Sequence, residues 1–269
     1  MCTLCQRESC DASKKQYSHQ DHTTLAMAVP ETQSHSLSRA DGSATFTSSL
    51  HSILAAVNGP VEVGRRDELP EEAAIEVNIR PVAGVGGPRE RWLESIVQAV
   101  LRSVVLVHMH PRTLIQITLQ ITQEPGEEIN KRDARDVVVI PDLLNAASLA
   151  LVDAGIPLNT AVSATLAVVA VGDEEIVLGP TVDQVVKSTS VHAFGYDRQG
   201  GMLLSESTGH FALEKWEQAE GAARTACAAA LAPTGGDEAM GNGGIEGEPW
   251  IRQALEEKVR DANAWREST

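Results

Sequence analysis

An α+β fold, with mixed sheets packed against helices, is predicted by three features of this sequence. Hydrophobic residues make up 42% of the 269-residue chain while aromatics make up 3%, so the core must be built from Val, Leu, Ile and Ala. Ile75, Val77 and Ile79 alternate with Glu76, Asn78 and Arg80, and Ile115, Ile117, Leu119 and Ile121 alternate with Gln116, Thr118 and Gln120. That two-residue period marks half-buried strands. The third feature is a helical period over Arg89 to Val107, where Trp92, Ile96, Ala99, Val100 and Ser103 share one face and Glu90, Glu94 and Arg102 lie elsewhere.

Residues 1–37 are rich in Ser, Thr, Gln and His without a sustained hydrophobic period, and are expected to form a disordered tail. The folded domain is expected over 38–232. Strands are predicted at 43–48, 52–58, 137–140, 162–171, 175–178, 189–195 and 201–206. A helix is predicted from Leu143 to Ala154, opened by Asp142 as its cap and closed by Gly155 with Pro157 beyond; Ala146, Ala147 and Ala150 permit close packing. Another is predicted from His210 to Leu231, with Ala212, Trp216, Ala219, Ala223 and Cys227 as its apolar stripe. The last segment, 233–269, reads as a Gly-rich linker from Pro233 to Pro249, then a short polar helix over Trp250 to Trp265 with Trp250, Leu255 and Val259 available for docking.

The formal charge is −15 with a pI near 4.9, which repels phosphate backbones and argues against a free-standing nucleic-acid binder. A few arginines placed in a channel with basic neighbours remain compatible with it. Cys2, Cys5 and Cys10 crowd the first ten residues and Cys227 stands alone, so no disulfide framework is expected and a reducing compartment is. No apolar run has the length of a membrane span and no signal peptide is recognised, so an intracellular, soluble protein without a membrane partner is expected.

Asp41-Gly42-Ser43-Ala44, then Leu54-Ala55-Ala56-Val57-Asn58-Gly59-Pro60, His110-Pro111-Arg112-Thr113, the run Leu144-Asn145-Ala146-Ala147-Ser148-Leu149-Ala150 through Pro157, and Gly179-Pro180-Thr181 occur in an order and at a spacing that resemble the RNase PH-like ring subunits of the RNA exosome core. The resemblance covers about residues 38–232. It implies an RNase PH-type fold of paired βαβ units, similar to ribosomal protein S5 domain 2. It also implies a six-membered ring of RNase PH-like subunits with a central channel for single-stranded RNA, a cap of S1 and KH proteins, and separate hydrolytic nucleases. By the same resemblance the protein is expected in nucleus, nucleolus and cytoplasm, supporting RNA processing and 3'-to-5' degradation.

Active members cleave RNA with inorganic phosphate, which needs cationic and backbone donors for the anion and carboxylates for a divalent metal. Aligned without gaps from Asn145-Ala146-Ala147, their Gly-Gly-Thr-Arg stretch falls on Val137-Val138-Val139-Ile140, read here as a buried strand. Valines bar the close backbone approach of glycines, and Ile140 supplies no charge. Counted back from Gly200-Gly201, the two metal-binding aspartate positions fall on Gly179 and Val185, with Asp183 out of register on an alternating strand. No catalytic residue, metal or cofactor is therefore expected, and the chain is read as a non-enzyme. An active phosphorolytic exoribonuclease would need rescue by Arg132, Arg135 or Asp183. An adaptor acting apart from the ring through its tails is the third reading.

Arg65, Arg66, Arg89 and Arg91 are the candidate RNA contacts, set beside salt-bridging as their alternative role. Cys2-x-x-Cys5 with Cys10, His19 and His22 has zinc-ligand types but no apolar residues for a mini-core, so it reads as part of the tail. His108 and His110, at strand-like spacing, and His192 lack ligand partners and read as packing or surface residues. Gly84-x-Gly86-Gly87 lacks the Lys-Ser/Thr pair of a P-loop and is assigned no nucleotide.

Overall fold

A computed structural model describes residues 30–64, 68–126, 129, 132–172, 175–232 and 250–267. The first sheet contains β1 (Glu31–Ser34), β2 (Gly42–Thr47), β3 (Ser52–Glu62), β4 (Ala74–Arg80) and β5 (Thr113–Gln123) in the order β1-β2-β3-β5-β4. Only β4 and β5 are parallel, and α1 (Pro88–Val104) makes the crossover between them. After α2 (Arg132–Asp153), the second sheet contains β6 (Val162–Ala170), β7 (Ile176–Leu178), β8 (Ser188–Asp197) and β9 (Met202–Gly209), ordered β7-β6-β8-β9 and antiparallel throughout. The five-residue α3 (Val182–Val186) precedes β8, α4 (Leu213–Leu231) follows β9, and α5 (Trp250–Glu267) comes last.

The central helix α2 touches β2, β3 and β5 of one sheet and β6, β8 and β9 of the other. It is therefore apolar on nearly all sides, and Val137 to Ala147 are all buried. This position corrects the expected strand at 137–140. A short, β-branched apolar run satisfies a buried strand and a buried helix equally, and only the second sheet covering it decides the matter. Nor does Asp142 open the helix, which runs through Pro141 although proline lacks the N–H that would bond the Val137 carbonyl. Asn145 joins helix to sheet as a strand would: its Nδ2 donates to the Ala164 carbonyl at 2.8 Å and its Oδ1 accepts from the Ala164 N–H at 2.9 Å.

The conspicuous glycines mark close approaches. A Cβ on Gly42 would lie 2.2 Å from the Ala154 nitrogen and 2.5 Å from the Ala150 carbonyl oxygen, so β2 abuts the last turn of α2. Gly59 takes φ 144° against the Leu114 carbonyl, and its N–H donates to Asp41 Oδ2 at 2.8 Å. Asp41-Gly42 and Asn58-Gly59-Pro60 are thus two halves of one contact.

On α1 the buried face is Leu93, Val97, Val100, Leu101 and Val104, one position away from the expected stripe, while Trp92 is 40% exposed. Both ridges are apolar, and the sheet selects between them. Glu94 and Gln98 turn toward the outer edge of β4: Glu94 Oε1 accepts from the Ile79 N–H and Gln98 Nε2 donates to the Ile75 carbonyl. These bonds occupy backbone groups that an edge strand would leave open.

Four further expectations are corrected. Residues 31–34, assigned to the tail, form β1, because β2 supplies hydrogen bonds that no local pattern reveals. His108 lies in a 3-10 turn, Val107–Met109, which breaks the strand-like spacing with His110. The segment around Asp183 is α3, signalled by a Thr181-x-x-Gln184 capping box that the strand reading overlooked. The fourth helix begins at Leu213 rather than His210, since β9 extends through Gly209. Its buried face of Ala219, Ala223 and Cys227 matches the expected stripe and meets Phe194 and Tyr196 on β8.

His192 is fully buried on β8 between Ser190 Oγ (2.9 Å) and Ser207 Oγ (2.8 Å), with Phe211 edge-on at 4.6 Å. Burial pushes its pKa down to about 4, so the ring is neutral in the native protein. The unfolded chain, with an ordinary histidine, takes up a proton first as pH falls. The His192 contribution is thus intact above pH 6.5 and is lost between 6.5 and about 4, by about 2–3 kcal/mol. Urea midpoints measured across that range are expected to fall with acidification, and the His192→Gln variant is expected to show a shallower slope.

Candidate functional site

Val137 to Ile140, the segment that the sequence reading set against a phosphate-binding stretch, is buried mid-helix. Ile140 is fully buried and the N–H groups of 137–140 lie beyond the first turn of α2, which begins at Arg132. An anion finds neither a cation nor a free amide there. Arg135, one of the candidate rescuers, donates instead to Glu124 Oε1 at 3.0 Å. The Arg132 side chain lies outside the described residues.

Gly179 and Val185, the two positions expected from the sequence to stand in place of metal-binding aspartates, are also separated. Gly179 follows β7 and borders a cavity of ≈ 70 Å³ with Ser48, Asp142, Asn145 and Cys227. Val185, buried on α3, borders a different cavity of ≈ 200 Å³ formed with Ile129, Ala134, Val186, Ser188 to Val191, Thr208 and Gly209. Among the described residues its lining is hydroxyl and aliphatic, with no charged side chain. Asp183 is exposed on α3 and, two residues from Val185, points about 200° around the helix from it. The strand alternation expected there is replaced by helical geometry, which separates the two residues in the same way. Among the described residues no group of three or more His, Cys, Asp or Glu side chains is placed to hold a metal.

One constellation was not anticipated. His51 Nδ1 lies 2.8 Å from Asp142 Oδ2, and Ser48 Oγ donates to the same oxygen at 2.8 Å while accepting from the His51 N–H at 3.0 Å. Both side chains meet the carboxylate, so the imidazole is not positioned to take the serine proton, as a nucleophilic triad requires. The group ties the β2–β3 turn to α2. Cys227, beside Ser163, is held protonated by burial, which pushes its thiol up to about 12, and it is no nucleophile.

Arg89 spans three elements. Its Nε donates to Asp136 Oδ1 at 2.5 Å and its Nη2 to Glu124 Oε1 at 2.7 Å. Burial works to lower its pKa, but these carboxylates hold it above the ordinary arginine value. Glu124 in turn is desolvated, yet its bonds to Arg135 and Arg89 keep its carboxyl below the usual range. Arg91 is exposed and has no ion pair among the described residues, whereas Arg65 and Arg66 lie outside them. Among the described residues no helix is long and apolar enough to cross a membrane.

Two sheets around a buried helix, with the Gly42, Gly59 and Asn145 contacts at their junctions, define an RNase PH-type domain. Residues 31–157 match the 3' exoribonuclease family, domain 1, and the chain belongs to this RNase PH family. Within it, the chain is similar to exosome complex component RRP46 of Saccharomyces cerevisiae, with 37% identity over 181 residues, 65% of this chain and 79% of that protein. The crystal structure of rice (Oryza sativa) Rrp46 superposes with a TM-score of 0.63 at 27% identity, covering 74% of this chain and 90% of that one. The Archaeoglobus fulgidus exosome with RNA bound to its active site superposes with a TM-score of 0.58 at 14% identity over 74% of this chain and 85% of that one, a likeness of fold alone. The motifs read from the sequence likewise resemble those of ribosomal RNA-processing protein 46.

Proposed function

We propose that this protein is a non-catalytic ring subunit of an RNA exosome, joining other RNase PH-like subunits in a hexamer whose channel admits single-stranded RNA. The observation that carries the non-catalytic part is the burial of Val137 to Ile140 inside α2, where active members need glycines and an arginine. Membership of the ring is supported by the likeness to the yeast and rice proteins. In this reading S1/KH cap proteins bind one face of the ring, separate hydrolytic nucleases do the cutting, and the protein works in nucleus, nucleolus and cytoplasm. Arg91, exposed at the start of α1, and Arg65-Arg66 are the proposed RNA contacts, since Arg89 is already held by two carboxylates.

Purification of the tagged chain from its own cells, followed by native mass spectrometry, is expected to give one copy beside several different RNase PH-like and S1/KH proteins. The purified chain is expected to release no nucleoside diphosphate from RNA when inorganic phosphate is added. A homohexamer with phosphate-dependent release, lost in Asp183→Asn, would overturn the proposal in favour of an active phosphorolytic enzyme.

A further inference from the structure

The two sheets have four outer edges, and three of them are short or covered. β1 and β7 are four and three residues long, and the outer edge of β4 is bonded by the side chains of Glu94 and Gln98. Such edges are poor templates for another strand. β9 differs. It runs for eight residues, Met202–Gly209, and pairs only with β8, in unbroken register from Leu204 to Gly209. Alternate residues along it therefore turn their N–H and C=O groups outward. Among the described residues no backbone or side-chain group bonds to that edge, and β9 carries neither proline nor lysine to blunt it.

Two features of β9 state what kind of strand fits it. The side chains of Leu204, Glu206 and Thr208 share one face, and Leu204 is buried in the core that α2 helps to form. Thr208 borders the cavity of ≈ 200 Å³ beside Val185, whose described lining is hydroxyl and aliphatic. An aliphatic side chain suits that space, whereas a charged one would be desolvated there without a partner. Glu206, two residues earlier on the same face, is half-buried and has no ion pair among the described residues. A cation directly across from it would favour pairing, and the net charge of −15 acts in the same direction.

We propose that the outer edge of β9 is a strand-addition site for an extended segment of a partner protein, which pairs antiparallel with β9, seats an aliphatic side chain in the cavity beside Thr208 and places a lysine opposite Glu206. Backbone hydrogen bonds supply the affinity, and the two side chains supply the specificity. A row of amide and carbonyl groups is complementary to another such row, and the Glu206 carboxylate repels phosphate, so the occupant is a peptide strand rather than RNA. The inference goes beyond ring membership and does not rest on it.

The test uses the full-length chain and, as probe, the capped peptide Val-Thr-Leu-Thr-Lys-Thr-Val-Thr, which presents leucine and lysine two residues apart on one face. Saturating peptide is expected to slow hydrogen exchange at alternate amides of β9 at least tenfold and to leave β6 unchanged. Methylating the peptide's backbone nitrogens along its pairing edge removes donors and keeps every side chain, and is expected to weaken binding at least tenfold. Glu206→Lys is expected to weaken the lysine peptide at least fivefold and to prefer a peptide with glutamate in that place. Equal binding of the methylated and unmethylated peptides, or binding of neither, would overturn the proposal. So would β9 protection that rises with protein concentration alone, which assigns the edge to a second copy, or protection by oligouridylate, which assigns it to RNA. Should Glu206→Lys fail to fold, the methylated peptide on wild-type protein decides. All of these measurements are made on the single chain, so their failure leaves the ring reading standing, and a failure of ring assembly leaves them unaffected.

Discussion

Gly42→Ala is expected to destabilise the protein by about 3–5 kcal/mol, lowering the melting temperature by about 10 °C or more. The added methyl would lie 2.2 Å from the Ala154 nitrogen and 2.5 Å from the Ala150 carbonyl oxygen, hydrogen-bonded backbone at the C-terminal end of α2. No side chain can rotate away, so β2 must move. That movement breaks the bond from the Ser43 N–H to Asp153 and disturbs the β2–β3 pairing of Gly42 with Val57. Gly221 provides a control of opposite sign. It is exposed on α4, a Cβ there meets nothing within 4 Å, and Gly221→Ala is expected to stabilise by about 0.5–1 kcal/mol through helix propensity. Thermal unfolding of the two variants checks both; a Gly42→Ala protein within 1 kcal/mol of wild type would contradict the close approach of β2 to α2.

Arg89→Leu is expected to cost about 3–4 kcal/mol, because it removes the cation from two carboxylates that remain largely buried. Among the described residues, Glu124, whose side chain is 7% exposed, then keeps only Arg135, and Asp136 has no other ion-pair partner. Arg135→Ala, at a more exposed position whose removal leaves Arg89 on Glu124, is expected to cost about 1 kcal/mol. Adding Asp136→Leu to Arg89→Leu is expected to recover part of the loss, since an apolar pair is tolerated where a lone charge is not. The acid side is a second readout. Because Glu124 titrates below its ordinary value in the folded protein, its contribution is complete above the unfolded carboxyl value near 4.5 and is lost as pH falls through the folded one. The Arg89→Leu variant is expected to lose less stability on acidification below that pH, as urea titrations at pH 3 to 6 would show.

The strands at Ile75–Ile79 and Ile115–Ile121, though not their parallel pairing, were legible in the sequence, because two-residue alternation has one reading when one face is wet. So were Leu143 to Asp153 as helix and the Ala219-Ala223-Cys227 seam of α4. Motifs holding Gly42, Gly59 and Asn145 carried the family resemblance, and in the structure these three residues make close contacts between elements. Less legible were places where periodicity is degenerate. Val137 to Ile140 has no polar face, so only its enclosure between two sheets makes it helix. The choice between Trp92-Ile96 and Leu93-Val97 as the inner ridge of α1 belonged to the sheet beneath.

Of the candidate site, the sequence by itself determined the residue types: Val137 to Ile140 offer neither a cation nor a glycine, and Gly179 and Val185 no carboxylate, which is the chemistry on which the proposed non-catalytic role rests. Only the tertiary structure decided position. It put Gly179 and Val185 on different cavities, enclosed Arg89 between Glu124 and Asp136, and brought Lys258 to Asp153, 105 residues earlier in the chain. Composition and local spacing determine what a side chain can do, whereas ion pairs and cavities form between segments distant in sequence, and those are chosen by which faces the core brings together.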